Sequence, residues 1–274
     1  MFLKTIKSAL VFVLLISFTS CSEYQKLLNN TDVNTKYKAA EKYYDSGDYR
    51  KANRLFEQIT PSFRGKPQAQ RIVFFYANTY FQLKDYNLAA YQFESFVKSY
   101  PKSDRIQEAT FLAAKSYYML SPKYSLDQQD TNKAIDKLQI FLDNYPTSEF
   151  SEEANTLIAE LQVKLEKKFF EISKQYYTIR DYKAAMNSFD NLLNDYPGTQ
   201  FKEDALYHKF LSNYELAVNS IFTKKKERLD GAQEIGNTLL RYFPETLFME
   251  ELDEKFKKIE KELNQVDQST ITTK

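Results

Sequence analysis

The sequence predicts an all-α solenoid of about five helix pairs with a C-terminal capping helix. Glycine and proline, which interrupt helices, number only 5 and 7 among 274 residues, and tryptophan is absent. One pattern of small, aromatic and acidic residues recurs at distant points of the chain after residue 35. Few helix breakers and a long internal repeat together favour a stack of helix pairs.

Residues 1–20 have the layout of a secretory signal peptide. Lys4 and Lys7 come before an apolar run from Ala9 to Ile16, and small polar residues follow that run. The run is too short to cross about 30 Å of hydrocarbon, so a transmembrane helix is disfavoured. We therefore predict that residues 1–20 are removed.

Cys21 is the only cysteine and directly follows this leader. A single thiol forms no internal disulfide, and transition metals need several converging ligands. The position resembles the bacterial lipobox, with departures at Phe18 and Ser20. The resemblance implies that Cys21 is lipidated and becomes the mature N-terminus. Since Ser22 is not the aspartate that retains lipoproteins in the inner membrane, it also implies sorting to the outer membrane.

Residues 21–34 then form a lipid-anchored tether, because the segment lacks strong periodicity. Two or three acyl chains suffice for stable anchoring. An ordinary secreted protein with an incidental cysteine is the alternative.

Composition and charge exclude several function classes. Lys and Arg total 38 and Asp and Glu total 37, so no global basic field favours nucleic acid as a partner. His208 is the only histidine, and no cysteine follows the leader, so one chain cannot assemble a Cys–His pair or a transition-metal cluster. No glycine-rich phosphate loop is present. We expect no enzymatic activity, no metal site and no cofactor.

Residues 35–264 carry five aligned repeat segments, each with an alanine at a fixed position. Four segments have a large apolar residue four places later, and four end in a proline twelve places later. The alanines are Ala52, Ala89, Ala134, Ala185 and Ala232; the large residues are Phe56, Phe93, Leu138 and Phe189; the prolines are Pro101, Pro146, Pro197 and Pro244. Before each segment, a small or apolar residue is followed three places later by tyrosine, as in Ala40 and Tyr43. This pattern resembles the tetratricopeptide repeat, a pair of antiparallel helices.

The spacing departs from about 34 residues per repeat. Extra residues at 121–131 and 218–230 fall between the helices of a pair, and the basic cluster Lys224–Arg228 is predicted to be an exposed loop. The run that begins at Ser151 predicts one helix of about 30 residues, roughly 45 Å long. A charged amphipathic helix after residue 244 is predicted to cap the repeats, and residues 265–274 are predicted to be disordered.

Adjacent aromatic residues suggest a binding groove. Neighbouring side chains on a helix point about 100° apart, so one ring of each pair can pack inside while the other lines a groove. The candidate groove residues are Tyr44, Phe75 and Tyr118. Such a groove suits an extended or helical peptide. Simple extra packing of these rings is an equally weighted alternative.

The leader, the five repeats and the junctions YPKS, YPTS and YPGT resemble the BamD family of lipoproteins from the outer-membrane β-barrel assembly machinery. The resemblance implies a non-enzymatic adaptor on the periplasmic face of the bacterial outer membrane. It implies that the N-terminal repeats receive unfolded outer-membrane proteins through the C-terminal strand signal of those proteins, and that the C-terminal repeats bind a BamA-like barrel subunit. Other lipoproteins of the machinery, and the membrane itself through the N-terminal lipid, are further implied partners.

Two other functions remain open at this point. One is a different periplasmic tetratricopeptide lipoprotein adaptor, such as a pilus-assembly pilotin or a cell-envelope coordinator. The other is an enzyme or carbohydrate-binding lipoprotein on the cell surface.

Overall fold

The structure, a computed structural model, describes residues 23–272, with side chains described through residue 268. Residues 1–20 and Cys21 lie outside this range. Within it the regular structure is helical, and no strand is present. A 3-10 turn covers Thr60–Phe63. The helices are α1 (Val33–Asp45), α2 (Tyr49–Ile59), α3 (Ala69–Gln82), α4 (Tyr86–Ser99), α5 (Ile106–Leu120), α6 (Gln129–Asn144), α7 (Ser151–Thr178), α8 (Tyr182–Asp195), α9 (Lys202–Val218), α10 (Phe222–Tyr242) and α11 (Met249–Thr272).

The five repeat segments form the second helices of five pairs, as predicted. All five aligned alanines and all four aligned large apolar residues have 0% exposed surface. Buried alanines allow neighbouring helix backbones to approach closely, and the larger side chains fill the space between the pairs. The tetratricopeptide fold is therefore confirmed by the burial of the residues that predicted it.

The turn inside three of the pairs has one shared geometry. After the first helix, one residue adopts the left-handed backbone conformation. These residues are Gly47 (φ 79°), Lys84 (φ 63°) and Arg180 (φ 64°). The aspartate that follows caps the second helix by accepting from a backbone N–H three residues on: Asp48 from Lys51, Asp85 from Leu88 and Asp181 from Ala184. The repeated Asp-Tyr dipeptide is thus a helix start.

The junctions between pairs also share one turn. The backbone N–H of a serine or threonine two residues after the proline donates to the backbone carbonyl oxygen of the aromatic residue before that proline. Its hydroxyl accepts from the backbone N–H two residues on. These residues are Ser103, Ser148, Thr199 and Thr246. The degenerate fifth segment therefore ends like the others.

The chain forms two compact units. The first holds the described residues up to Pro122 together with Gln129–Ile158, and the second holds Lys123–Gln128 and the residues from Ala159 onward. The core of the first unit is rich in phenylalanine, including Phe56, Phe74, Phe93 and Phe96. The second unit is centred on Phe210, Leu229, Leu239, Leu252 and Ile259.

The long helix α7 confirms the prediction of about 30 residues, since it has 28. The structure differs from the prediction of a tether over residues 21–34, because residues 23–29 form a helix. Tyr24, Leu27 and Leu28 pack against the first core, and the Tyr24 ring lies 5.6 Å from the Tyr43 ring. Their i, i+3, i+4 spacing places all three on one helix face, which explains why the segment folds onto the repeats.

The C-terminal region also differs from the prediction in two places. Helix α11 continues to Thr272, and Val266 is only 6% exposed, so the segment from residue 265 is not disordered where it is described. The cluster Lys224–Arg228 lies in the first turns of α10 rather than in a loop. Lys225 and Lys226 form ion pairs with Glu262 and Asp267 of α11, each at 2.5 Å. These pairs join the two helices.

Candidate binding site

Two of the three predicted groove residues meet in the first unit. The rings of Tyr44 on α1 and Phe75 on α3 have centroids 4.5 Å apart and planes tilted by 33°. The Tyr44 hydroxyl donates to Asn78 Oδ1 at 3.0 Å. Since Asn78 is 7% exposed, a buried hydrogen bond and ring packing together hold this pair.

Phe75 lies in the core, which differs from the expectation that it lines a groove. It is 8% exposed, and its neighbour Phe74 is 1% exposed. The guanidinium carbons of Arg71 and Arg105 lie 4.8 and 5.4 Å from the centroid of the Phe75 ring. Helix periodicity predicts the direction in which the Phe75 side chain points. Its burial, however, depends on Tyr44 and the two arginines, which come from other turns or helices and cover the ring.

Ion pairs border this aromatic cluster. Arg71 Nε donates to Glu41 Oε1 at 2.8 Å, and the Tyr37 hydroxyl donates to the same oxygen at 2.6 Å. Arg105 lies 3.7 Å from the carboxylate of Glu108. Burial raises the pKa of Glu108. The result is an aromatic centre bordered by two arginine–glutamate pairs.

The chemistry of this surface suits binding. Burial raises the pKa of Tyr44 to about 12, and its hydroxyl donates to Asn78 within the cluster. Tyr118, the third candidate, is half-buried near the end of α5, beside Met119, which is 42% exposed. Packed aromatic rings, guanidinium donors and an exposed thioether favour contact with a peptide.

A separate cavity of about 220 Å³ opens between α4, α5 and α6 of the first unit. Its lining residues are Val97, Ala113, Ala114 and Ile140, with Thr110, Glu94, Lys98 and Lys137 around them. The sequence carries only a weak signal for this cavity. Ala113 stands beside the repeat residue Ala114, whereas the equivalent position in the previous pair, next to Ala77, is the bulky Tyr76.

His208 is a half-buried packing residue. Its ring makes edge contacts with Phe170 and Tyr207, at centroid distances of 5.9 and 5.5 Å. Nδ1 lies 2.8 Å from the backbone oxygen of Asp204, so Nδ1 carries the hydrogen. Burial lowers the pKa of His208. Among the side chains that the structure describes, no group of three or more His, Cys, Asp or Glu residues is placed to hold a metal ion.

The second unit exposes apolar residues at the turn between α9 and α10. Ile221 is 69% exposed and the adjacent Phe222 is 50% exposed. Leu247, after α10, is 93% exposed. None of the helices within residues 23–272 is long and apolar enough to span a membrane.

Comparison with known proteins identifies one matching family. The model of the family YfiO, described as outer membrane lipoprotein, matches residues 29–229. No curated protein matches the chain.

Solved structures with similar helical folds share little sequence with this chain. A tetratricopeptide-repeat protein from Bacteroides fragilis is 13% identical, with 88% of this chain and 100% of that chain covered and a TM-score of 0.43. The TPR2AB domain of yeast Sti1, solved as a complex with pHSP90, is 13% identical, with 83% and 98% covered and a TM-score of 0.41. The MamA protein is 17% identical, with 77% and 92% covered and a TM-score of 0.31.

Proposed function

This chain belongs to the YfiO family of outer membrane lipoproteins, the BamD-like family that its repeats and junctions predict, and we propose that it is a lipid-anchored periplasmic scaffold of the outer-membrane β-barrel assembly machinery. In this role it binds the central BamA-like barrel subunit and unfolded outer-membrane proteins, and it catalyses no reaction. The family match over residues 29–229 is the observation that carries the proposal.

The anchor in this proposal is Cys21. Lipid on Cys21 holds the repeats at the periplasmic face of the outer membrane, where barrel proteins are inserted. Attachment to one surface raises the effective concentration of each partner, so weak contacts suffice for binding. The helix over residues 23–29, which packs onto the first core, leaves only a short link between the lipid and the folded repeats.

Client binding is assigned to the first unit. An unfolded barrel protein presents alternating apolar and polar side chains along an extended backbone. The guanidinium groups of Arg71 and Arg105 offer N–H donors beside aromatic rings.

Docking of the barrel subunit is assigned to the second unit. The exposed neighbours Ile221 and Phe222 support this assignment, because adjacent exposed apolar side chains mark interaction sites and aromatic residues are enriched in interfaces. Helix α10 begins at Phe222 and is held to α11 by the Lys225–Glu262 ion pair, so the turn sits on a rigid support.

In-cell photocrosslinking tests client binding. A photoreactive residue replaces Arg71, whose side chain is 57% exposed beside the aromatic cluster. The matched control replaces Arg54 on α2, whose side chain is 65% exposed. We expect newly made outer-membrane barrel proteins to crosslink at position 71 and not at position 54. Equal labelling at both positions, or capture of no barrel protein, would contradict client binding by this face.

A further inference from the structure

A polar cavity of about 500 Å³ opens in the second unit, at the turn between α7 and α8 and beside the end of α9. Its volume lies within the range of roughly 300–1,000 Å³ that small-molecule sites occupy. The residues that line it are Tyr177, Thr178, Arg180, Tyr182, Glu215 and Asn219. Two aromatic rings and four hydrogen-bonding side chains therefore surround one space.

The acid in this cavity stands where the other repeats have an aromatic residue. In each pair the residue in question directly follows the repeat tyrosine of the first helix. It is aromatic in four pairs and is Glu215 in the fifth; the aromatic residues are Tyr44, Phe81, Tyr118 and Tyr177. In the second pair, for example, the Phe81 ring lies 5.5 Å from the Tyr86 ring. Since a ring satisfies the fold at this place, the fold does not require the carboxylate of Glu215.

Both charged groups of the cavity lack a partner within residues 23–268. Neither the Arg180 guanidinium nor the Glu215 carboxylate takes part in a hydrogen bond or an ion pair there. Glu215 is half-buried. Burial, and after it the charge of Glu215, raises the pKa of Tyr177, so the carboxylate lies near that side chain. A half-buried charge without a partner carries a desolvation cost that a hydrogen-bonding ligand offsets.

The turn that carries Arg180 is fixed in place. The backbone N–H of Arg180 donates to the backbone oxygen of Tyr177 at 2.9 Å, and that of Asp181 donates to Tyr176 at 3.0 Å. The rings of Tyr177 and Tyr182 have centroids 5.9 Å apart, and Tyr177 also packs against the core of the second unit. A ligand therefore meets rings that are already in position, which lowers the ordering cost of binding.

The lining selects one class of ligand. A ligand here needs donors for the carboxylate, acceptors for the guanidinium and an apolar face for the rings. A simple anion would meet the like charge of Glu215, a simple cation that of Arg180, and an apolar ligand would leave both without a partner. A pyranose sugar fits, because its hydroxyls both donate and accept and its ring C–H groups form an apolar face. We propose that this cavity binds a pyranose unit of a glycan.

Sugar binding goes beyond the proposed function and does not depend on it. Docking of the barrel subunit is assigned to Ile221 and Phe222, neither of which lines the cavity. Pyranose rings in a cell envelope have two sources, the glycan strands of the wall and the saccharides of outer-membrane lipids. The same chemistry recognises both, so the probes distinguish them.

Saturation-transfer NMR of the full chain, in a detergent without a sugar head group, tests the inference. One probe is a soluble N-acetylglucosamine tetrasaccharide, for the wall strands. The other is the oligosaccharide released from lipopolysaccharide, for the lipids. Free phenylalanine and glycine are the controls, because a zwitterion would also match the two charges. We expect at least one saccharide to bind and neither amino acid to do so. Binding of an amino acid, or of no saccharide, would overturn the inference.

Two variants that other repeats already carry locate the site. Arg180→Gly places glycine where Gly47 stands in the equivalent left-handed turn, and Glu215→Phe places a ring where Phe81 stands. Both changes are therefore compatible with the fold, which circular dichroism checks. Each removes hydrogen bonds to a charged group, so we expect the saccharide to bind at least about tenfold more weakly.

A third variant tests the ring. Tyr182→Ala should weaken the saccharide about threefold to tenfold. Tyr86→Ala is the matched control, since Tyr86 is likewise the first residue of its helix, and it should leave binding unchanged. Saccharide binding that survives Arg180→Gly and Glu215→Phe would place the sugar elsewhere and overturn the inference, while recovery of the barrel subunit would be unaffected. Loss of that recovery with sugar binding intact would overturn only the proposed function.

Discussion

The ring of Tyr44 lies 4.5 Å from the ring of Phe75, although the two residues belong to different helix pairs. The Tyr44 hydroxyl extends past that ring to Asn78, which also accepts from Gln82 Nε2 at 3.2 Å. The first two pairs are thus joined by an apolar contact and by a buried polar one. The high aromatic content of this chain is largely explained by contacts of this kind.

The two parts of the Tyr44 contact are separable by substitution. Tyr44→Phe removes only the hydrogen bond, and since Asn78 keeps Gln82 as a partner, we expect a loss of about 1 kcal/mol in the free energy of unfolding. Tyr44→Ala also removes the ring, and we expect about 3 kcal/mol. Urea denaturation followed by circular dichroism measures both. Tyr91→Ala, at a 65% exposed position, is the control and should cost less than about 0.5 kcal/mol. Equal losses for the two Tyr44 variants would contradict this account.

A glycine in α10 permits the close approach of the C-terminal helix. A Cβ atom at Gly236 would lie 2.5 Å from Cζ of Phe256 on α11 and 3.2 Å from Phe210. Replacing glycine by alanine inside a helix usually stabilises by about 1 kcal/mol. For Gly236→Ala we expect a net destabilisation of about 1–2 kcal/mol instead, because the Phe256 ring must move.

Gly231 in the same helix is the matched control for Gly236. Its added Cβ would meet only the side-chain amide of Asn213, at 3.1 Å. Gly231→Ala should therefore be neutral or slightly stabilising. Thermal denaturation of both variants measures the difference, and a stabilised Gly236→Ala protein would show that α11 does not pack as described.

Burial of His208 predicts a pH dependence of stability. Its pKa is lowered from the ordinary 6.5, chiefly by burial, while nearby Lys174 opposes the charged form and Asp204 and Glu171 favour it. The unfolded chain therefore takes up the proton first as the pH falls, so this contribution to stability is complete above about pH 6.5 and is lost below it. We expect a His208→Gln variant to lose less stability than the wild type between pH 7 and pH 5. Parallel losses in the two proteins would contradict the lowered pKa.

Lipid attachment predicts the effect of changing Cys21. Cys21→Ser removes the thiol that receives lipid, so we expect the protein to leave the outer-membrane fraction and to lose labelling by radioactive palmitate. Ser22→Ala keeps the thiol and should behave like the wild type. Retention of palmitate by Cys21→Ser would place the lipid elsewhere.

Much of the fold can be predicted from the sequence because the same residue pattern recurs in five segments. Each copy supports the helix assignments made for the others. The alanines, the large apolar residues and the proline junctions recur at fixed offsets, and each has one structural role that the structure confirms. Even the Asp-Tyr signal has a local cause, the helix cap formed by residues such as Asp48 and Asp85.

The features that sequence reasoning missed depend on neighbouring helices. The burial of Phe75 requires cover from Arg105, thirty residues later. The helical start of α10 is supported by Glu262 and Asp267 of α11, which no local pattern around Lys225 and Lys226 reveals. The cavity beside Ala113 depends on residues of three helices. Such features arise from contacts between distant segments rather than from periodicity.

The central claim is that this chain is an adaptor of the outer-membrane β-barrel assembly machinery. Affinity purification of the tagged chain from detergent extracts, with mass spectrometry of the bound proteins, tests it most directly. We expect a BamA-like barrel subunit to be recovered. The double variant Ile221→Glu with Phe222→Glu should reduce that recovery, and Leu247→Glu should not. Recovery of pilus-assembly or cell-division proteins without the barrel subunit would contradict the claim.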